Sequence, residues 1–387
     1  MKKRNLLLTG MISITLPLLS VSCIDNVQIN QNDDNDQVKQ YRQEGETLYI
    51  ETEIINKDVI QKILEDESIN REAVTKIYSR KAKLVSFQTT IDNISEDSKD
   101  ILKFNFKNLK EIDLINVERI DHYAFTRIDS LISVNLPNVT EIGDEAFART
   151  SSLETFSAPK LKKLGREVFY KAKLVKDIKD PLIIGKVLVK ISPDLDKFSN
   201  TEVEYVADYV FGHDSFGGSS SNTRLKSINL PNVTEIERNA FQGAHGLEIV
   251  NLPNVTKIGE TAFYGALLLK TFSAPKLKNV FFNSFMETPL LNEKLNQNEN
   301  LIIGKVLVAV SPNTRELFNT EVEYVANFAN RSNKVLTSVN LPNVTEIGEY
   351  AFYEASSLET FSAPKLKIIG KDAFKGTKVN LNSSKNN

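Results

Sequence analysis

The side chains able to do chemistry are few in this chain of 387 residues. Cys23 is its one thiol, which excludes an internal disulfide. The histidines, His122, His213 and His245, fall in or beside turn segments with no partner at helical spacing. They cannot form a zinc site without help from carboxylates, and they read as solvated turn residues. Glu141, Glu235 and Glu346 occupy one recurring slot, and Lys163 and Lys257 fill that slot in the copies after Glu141 and Glu235. Stacked strands would set these opposite charges side by side, a surface ladder worth ~0.2–1 kcal/mol per pair. No phosphate loop, dinucleotide fingerprint, HExxH or GxSxG occurs. The expectation is therefore a protein with no catalytic residues, no metal and no cofactor. With 48 basic and 50 acidic residues the net charge is -2, which gives no reason to expect a nucleic-acid partner.

Cys23 takes its meaning from what precedes it. Lys2, Lys3 and Arg4 make a positive start, and Leu6 to Leu19 make an apolar run interrupted by Pro17. That run is too short to span a bilayer comfortably and reads as an export signal. The sequence Leu19-Ser20-Val21-Ser22-Cys23 resembles the end of a bacterial lipoprotein signal. The resemblance implies that residues 1–22 are removed and that Cys23 receives a diacylglycerol and becomes the first mature residue. It departs from the usual pattern at Ser20, where Leu is customary; Leu19 lies one step further away. The implied location is the cell membrane, lipid-anchored and facing the extracellular side. Two acyl chains would hold the protein there, since each buried methylene contributes about 0.8 kcal/mol and one chain binds only marginally.

Residues 23–40, rich in Asn, Asp and Gln, cannot bury enough apolar surface to fold. They are expected to be a disordered tether spanning on the order of 20–25 Å. In residues 41–108, Thr47 to Ile55 alternates like a strand, and Val59, Ile60, Ile63 and Leu64 give Asp58 to Asp66 helical spacing. This region is expected to be a small mixed N-terminal cap.

From Leu109 the chain repeats itself with a period of about 22 residues. LISVNLPNVTEIGDEAFARTSS begins at Leu131, LETFSAPKLKKLGREVFYKAK at Leu153, and the register recurs from Leu225, Leu247, Leu269, Leu336 and Leu358. Leu131, Val134, Leu136, Val139, Ile142 and Phe147 are the apolar positions of one copy. Their spacing around Pro137-Asn138 suits two short strands joined by a bend; Gly143 permits a second turn, and Ala146-Phe147 suits a helical or 3₁₀ turn. One such copy cannot offset the entropy of ordering its own backbone, so stacking on neighbours is obligatory. A larger repeat is superimposed: LIIGKVLV from Leu182 returns from Leu301, each followed by NTEVEYVA.

The pattern Leu-x-x-Val-x-Leu-Pro-x-Val-x-x-Ile-Gly-x-x-Ala-Phe resembles the BspA-type leucine-rich repeat, and LIIGKVLV resembles the hairpin that interrupts such arrays. The resemblance implies a β-rich α/β solenoid of short strands, turns and 3₁₀ or short helical segments over residues 109–379. Two β-hairpin inserts are expected near 180–200 and 299–319, and a disordered tail over 380–387. Glu237 in place of Gly, Val168 in place of Ala, and Val280-Phe281-Phe282 are departures that imply local repacking.

For function the family implies surface display, with adhesion in some members. The outward positions of the first strand are the candidate ligand strip: Ser133, Asn135, Thr155, Ser157, Ser227, Asn229, Asn251, Thr271, Ser273, Ser338, Asn340, Thr360 and Ser362. With Glu111, Asp113 and Ile249 they would stack into a long, mostly uncharged band of hydroxyls and amides. Such a band could hydrogen-bond an extended host or cell-surface protein or a glycan, or could be what any regular stack shows to water. The loop Gly217 to Ser221 is a second candidate. The Asn-Val-Thr triplets at Asn138, Asn232, Asn254 and Asn343 match a glycosylation pattern but read as turn signals after proline. Two readings remain at this point: an adhesin-like binding lipoprotein, or a structural and antigenic coat protein without a dedicated ligand.

Overall fold

In this computed structural model the described residues are 39–87, 101–176, 178–192, 194–211 and 224–380. The expected signal and Cys23, nearly all of the expected tether, His213, the Gly217 to Ser221 loop and residues 381–387 lie outside them. The chain contacts divide into Met1–Lys39 and Gln40–Asn387, and every element below belongs to the second unit.

Each coil contributes a short strand to a first row and a shorter one to a second row. In the first row Glu111–Leu114, Ser133–Asn135 and Thr155–Ser157 pair in parallel, with Ser133 opposite both Glu111 and Thr155. In the second row Arg119–Ile120, Glu141–Ile142 and Lys163–Leu164 pair likewise. The alternation of the strands fixes this register. Ile112, Val134, Leu136 and Ile142 are buried, and a slip of one residue would turn them to water.

A third row closes each coil. The N–H groups of Glu145, Phe147 and Arg149 donate to the carbonyls of Arg166, Val168 and Tyr170 in the next coil. To aim them, Glu145 and Arg149 adopt φ of 51° and 59°, as do Tyr123 and Arg127, Glu167 and Lys171 at similar angles. Side-chain-bearing residues tolerate this region only when their surroundings over-determine it, which the inter-coil bonds do. Gly143 serves a different purpose from the turn expected of it. A Cβ there would lie 2.6 Å from the backbone nitrogen of His122, so close approach of neighbouring coils demands glycine.

Phenylalanine fills the space behind this row. Phe147 stacks between Phe125 and Phe169 with ring centroids 5.2 and 6.1 Å away, and Phe156 meets Phe147 edge-on at 5.0 Å. Such arrangements place ring edges on ring faces and add to the area they bury.

The coil ladder also runs through residues 41–108. Thr47–Ile50 and Lys76–Ser79 belong to the first row, and Ile54–Asn56 and Leu84–Ser86 to the second. The stretch Thr47 to Ile55 is thus two strands with a corner, where Thr52 Oγ1 donates to the carbonyl of Ile54 at 2.9 Å. What differs from the repeat is the antiparallel strand Tyr41–Glu44 against Thr47–Ile50, and a helix, Lys57–Glu65, in place of the aromatic turn. Asn56 caps that helix by accepting from the Val59 N–H at 3.0 Å, and its Ile60 and Ile63 are buried.

The hairpins do not hang off the array; they divide it. Leu182–Ile184 and Val187–Lys190 pair antiparallel around Gly185, whose φ is +58°. The second arm then pairs in parallel with Tyr205–Val206 and starts a new second row, while Lys197–Ser199 starts a new first row against Ser227–Asn229. Leu301–Ile303 and Val306–Ala309 repeat the arrangement, with Glu316–Phe318 opening the third first-row sheet. Three blocks result. A Cβ on Gly185 would fall 2.6 Å from the Leu161 carbonyl oxygen, and one on Gly304 would fall 2.6 Å from that of Ala274, so both turns press against the preceding coil.

The asparagines of the Pro-Asn-Val-Thr corners tie coils together. Asn138, Asn232, Asn254 and Asn343 donate Nδ2 to the carbonyls of Ile115, Thr201, Pro231 and Thr320 at 2.8, 2.6, 2.8 and 2.6 Å. Lys160, Lys276 and Lys365 of following coils donate to Oδ1 of Asn138, Asn254 and Asn343. Asn254→Ala removes both bonds and is expected to lower stability by about 1–2 kcal/mol. A urea midpoint unchanged from the parent chain would contradict that role.

Candidate functional site

The first-row strands set their outward side chains two residues apart on rigid backbone, and the parallel register stacks like positions. Asn135 lies opposite Asp113 and Ser157, Asn251 opposite Asn229 and Ser273, and Ser362 opposite Asn340. Asn135, Asn229, Asn251 and Asn340 are exposed, as are Thr155, Ser157, Thr271, Ser273, Thr360 and Ser362, whereas Ser133, Ser227 and Ser338 are half-buried. Amide groups link along the band: Asn135 Nδ2 donates to Asp113 at 2.9 Å, Asn229 to Ser199 at 3.1 Å and Asn251 to Asn229 at 2.8 Å.

The hairpins cut this band into three panels, ending at Thr155–Ser157, Thr271–Ser273 and Thr360–Ser362. Sequence reasoning missed the residues that open the panels. Lys197 and Ser199 stand beside Ser227 and Asn229, and Glu316 and Phe318 beside Ser338 and Asn340. Phe318 is 68% exposed, a large apolar side chain on a polar panel. In the first panel Lys76 reaches Glu111 and Asp113 at 3.5 and 3.4 Å. Partial burial works against the ammonium, and the Asp113 and Glu111 carboxylates outweigh it, so the Lys76 pKa is raised.

The remaining candidates are latches between coils. Nδ1 of His122 accepts from the Asp144 N–H at 2.9 Å, and Asp144 holds the Arg166 guanidinium at 2.9 and 2.7 Å. Glu235 and Lys257 are register partners and close to 3.4 Å; Glu141 and Lys163 share the same register. Among the described residues no group of three or more His, Cys, Asp or Glu could hold a metal ion, and no helix is long and apolar enough to cross a membrane.

Each block boundary also opens a cleft beside the turn row. The first, of about 80 Å³, is lined by Leu164, Glu167, Phe169, Val189 and Asp208 among others. Asp208 is buried and accepts from the Glu167 N–H at 2.9 Å. Burial pushes its pKa up to about 7; the Glu167 and Glu237 charges add to the shift, while the Glu167 N–H and Arg238 oppose it. Glu237, which replaces the usual Gly, takes a hydrogen bond of 2.6 Å from the Tyr205 hydroxyl of the preceding coil. The second cleft is larger, about 780 Å³, between the coil at Phe282–Met286 and the coil at Phe328–Lys334.

One known family model matches this repeat. The model of the BspA type leucine rich repeat region matches in 6 copies over residues 67–176, 99–214, 212–308 and 323–386. No curated protein matches the chain. Among solved structures, a leucine-rich repeat protein from Eubacterium ventriosum is 19% identical, with 87% of this chain and 91% of that one covered and a TM-score of 0.32. One from Bacteroides ovatus is 16% identical, with 88% and 79% covered and a TM-score of 0.30. A leucine rich cell surface protein from Faecalibacterium prausnitzii is 15% identical, with 84% and 86% covered and a TM-score of 0.26. On the matching family model, over coils whose register repeats strand by strand, this chain belongs to the BspA-type leucine-rich-repeat family.

Proposed function

We propose that the protein is a lipid-anchored, adhesin-like scaffold whose strand panels bind an extended segment of a host or cell-surface protein or glycan. The observation that carries this reading is the in-register band of hydroxyls and amides, exposed at Asn135, Ser157, Asn229, Asn251, Ser273, Asn340 and Ser362 and half-buried at Ser133, Ser227 and Ser338. Strands in a sheet lie about 4.8 Å apart, so each panel offers polar groups at a regular pitch that a long ligand can follow. The backbone beneath is held by neighbouring coils, so little ordering entropy opposes binding. Anchoring rests on the sequence around Cys23.

The test is a solid-phase screen of the purified protein against matrix proteins, glycans and cells. Saturable binding is expected, and charging all three panels with Asn135→Lys, Asn251→Lys and Asn340→Lys should abolish it while leaving the circular dichroism spectrum unchanged. A flat response across host ligands would leave the coat-protein reading in its place. For the anchor, Cys23→Ser should move the protein from the membrane fraction to the medium; retention on membranes would refute lipid attachment.

A further inference from the structure

The segment TFSAPKLK occurs at 155–162, 271–278 and 360–367, and nowhere else in the chain. Each copy ends a strand panel and turns the corner between the two strand rows. Coils inside the blocks carry Leu-Pro-Asn-Val at that corner, as at 136–139 and 341–344. The backbone turn is the same in all three copies. The N–H groups of Leu161, Leu277 and Leu366 donate to the carbonyls of Ala158, Ala274 and Ala363 at 3.0, 3.1 and 3.0 Å. The rings behind it match as well: Phe156–Phe169, Phe272–Phe285 and Phe361–Phe374 centroids are 4.9, 4.9 and 4.8 Å apart. Two of these corners carry a hairpin whose glycine comes down on the alanine carbonyl, Gly185 on Ala158 and Gly304 on Ala274. The third carries none among the described residues. The difference shows in exposure. Ala158, Leu161, Ala274 and Leu277 are buried, whereas Ala363 and Leu366 are half-buried. Ile369 is 45% exposed where Leu164 and Val280 are 3% and 0%, and the exposed Ile368 extends the apolar face. Contiguous apolar surface of this kind marks an interaction site.

We propose that the corner of residues 363–369 docks a partner protein through an apolar β-hairpin with glycine at its turn, of the Leu-Ile-Ile-Gly-Lys-Val-Leu-Val kind. Two corners of identical sequence in this chain already hold that hairpin, and they define the chemistry of the third occupant. The turn must be glycine. Gly185 and Gly304 both have φ of +58°, and a Cβ on them would fall 2.9 and 2.6 Å from the alanine carbonyl oxygens. The aliphatic arms cover Leu366 and Ile369. Because the corner is already folded, only the hairpin has to be ordered on binding. Residues 381–387, LNSSKNN, hold one large apolar side chain and no glycine, and cannot supply such a hairpin. A second copy of this chain is a poor source too. Both its LIIGKVLV hairpins rest on corners of its own, and its hairpin at Gly45 has Gln43 and Glu44 in place of Ile183 and Ile184. The corner is separate from the outward strand positions and does not depend on their binding anything.

The probe is a backbone-cyclised peptide of residues 301–309, LIIGKVLVA, closed by a second turn that carries a fluorophore. Cyclisation removes the cost of ordering a free hairpin, which is marginal in water. When the full chain is titrated into it, fluorescence anisotropy is expected to rise to saturation. Ala363→Leu gives the corner the leucine of an ordinary coil and should weaken binding by about tenfold or more. Ile369→Lys, at an exposed side chain, should weaken it likewise if the first variant fails to fold. Gly304→Ala in the peptide should have an effect of similar size. Asn135→Lys with Asn251→Lys, in the other two blocks, should leave the affinity unchanged. Anisotropy that never saturates, full affinity in both corner variants, or loss of binding in the panel variant would overturn the proposal. So would sedimentation of the full chain as a dimer that Ile369→Lys dissociates, since a second copy would then be the occupant.

Discussion

Phe263→Ala is expected to destabilise the protein by about 3–5 kcal/mol, the range for emptying a buried aromatic site. Phe263 is fully buried, with ring centroids of Phe241, Phe272 and Phe285 at 5.3, 5.1 and 5.7 Å. Phe241 comes from the preceding coil and Phe272 and Phe285 from the following one, so the cavity cannot close by moving one side chain. Because each coil touches only the next, the loss should stay local. Amide hydrogen exchange is expected to accelerate between Lys197 and Phe285, the second block, while Ile112, Val134 and Ile142 keep their protection. Uniform acceleration along the whole chain would mean that the blocks unfold as one, against the division that the hairpins impose.

The second large effect depends on pH. Asp208 titrates near the ordinary aspartate value of ~3.9 in the unfolded chain and at about 7 in the folded one, chiefly because it is buried. A folded pKa above the unfolded one favours folding while the group is protonated. That advantage is complete below pH ~4 and is lost as pH rises through about 7. Relative to acid, the ionised carboxylate then opposes folding by on the order of 4 kcal/mol. Asp208→Asn keeps an oxygen to accept from the Glu167 N–H and cannot ionise. The variant should therefore exceed the parent chain in stability at pH 8 by a few kcal/mol and match it at pH 4. Taking the difference between the two chains removes the titration of every other carboxylate. A difference that stays constant from pH 4 to pH 8 would show that Asp208 does not titrate with folding.

The repeat made the coils legible, and the reasons are particular. Leu131, Val134, Leu136, Val139, Ile142 and Phe147 recur at fixed spacings, and all are buried as that spacing requires. The Pro-Asn corner was readable because asparagine after proline has few other uses, though its bonds to Ile115 and Lys160 needed the neighbouring coils to be seen. The hairpins could be found as LIIGKVLV, but not what they do. That Val187–Lys190 pairs forward with Tyr205–Val206 is a long-range choice that nothing local specifies. The ligand band looked continuous for the same reason, since its division into panels follows from the hairpins and not from the strands. Coils in residues 41–108 were hidden because Ile60 and Ile63, on a helix, take over the burial that the repeat assigns to Ala and Phe.

Both hairpin turns rest on the same kind of coil. Gly185 meets Ala158 and Leu161 of the segment TFSAPKLK, and Gly304 meets Ala274 and Pro275 of an identical segment. The seat for one hairpin is therefore already the seat for the other. Excising residues 182–300 would bring the second hairpin onto the coil that now carries the first, with the alanine carbonyl that both turns meet still in place and the same segment sequence beneath it. The molecule's reach is thus a quantity that changes in whole blocks, so that recombination between its near-identical stretches yields shorter or longer proteins that still fold.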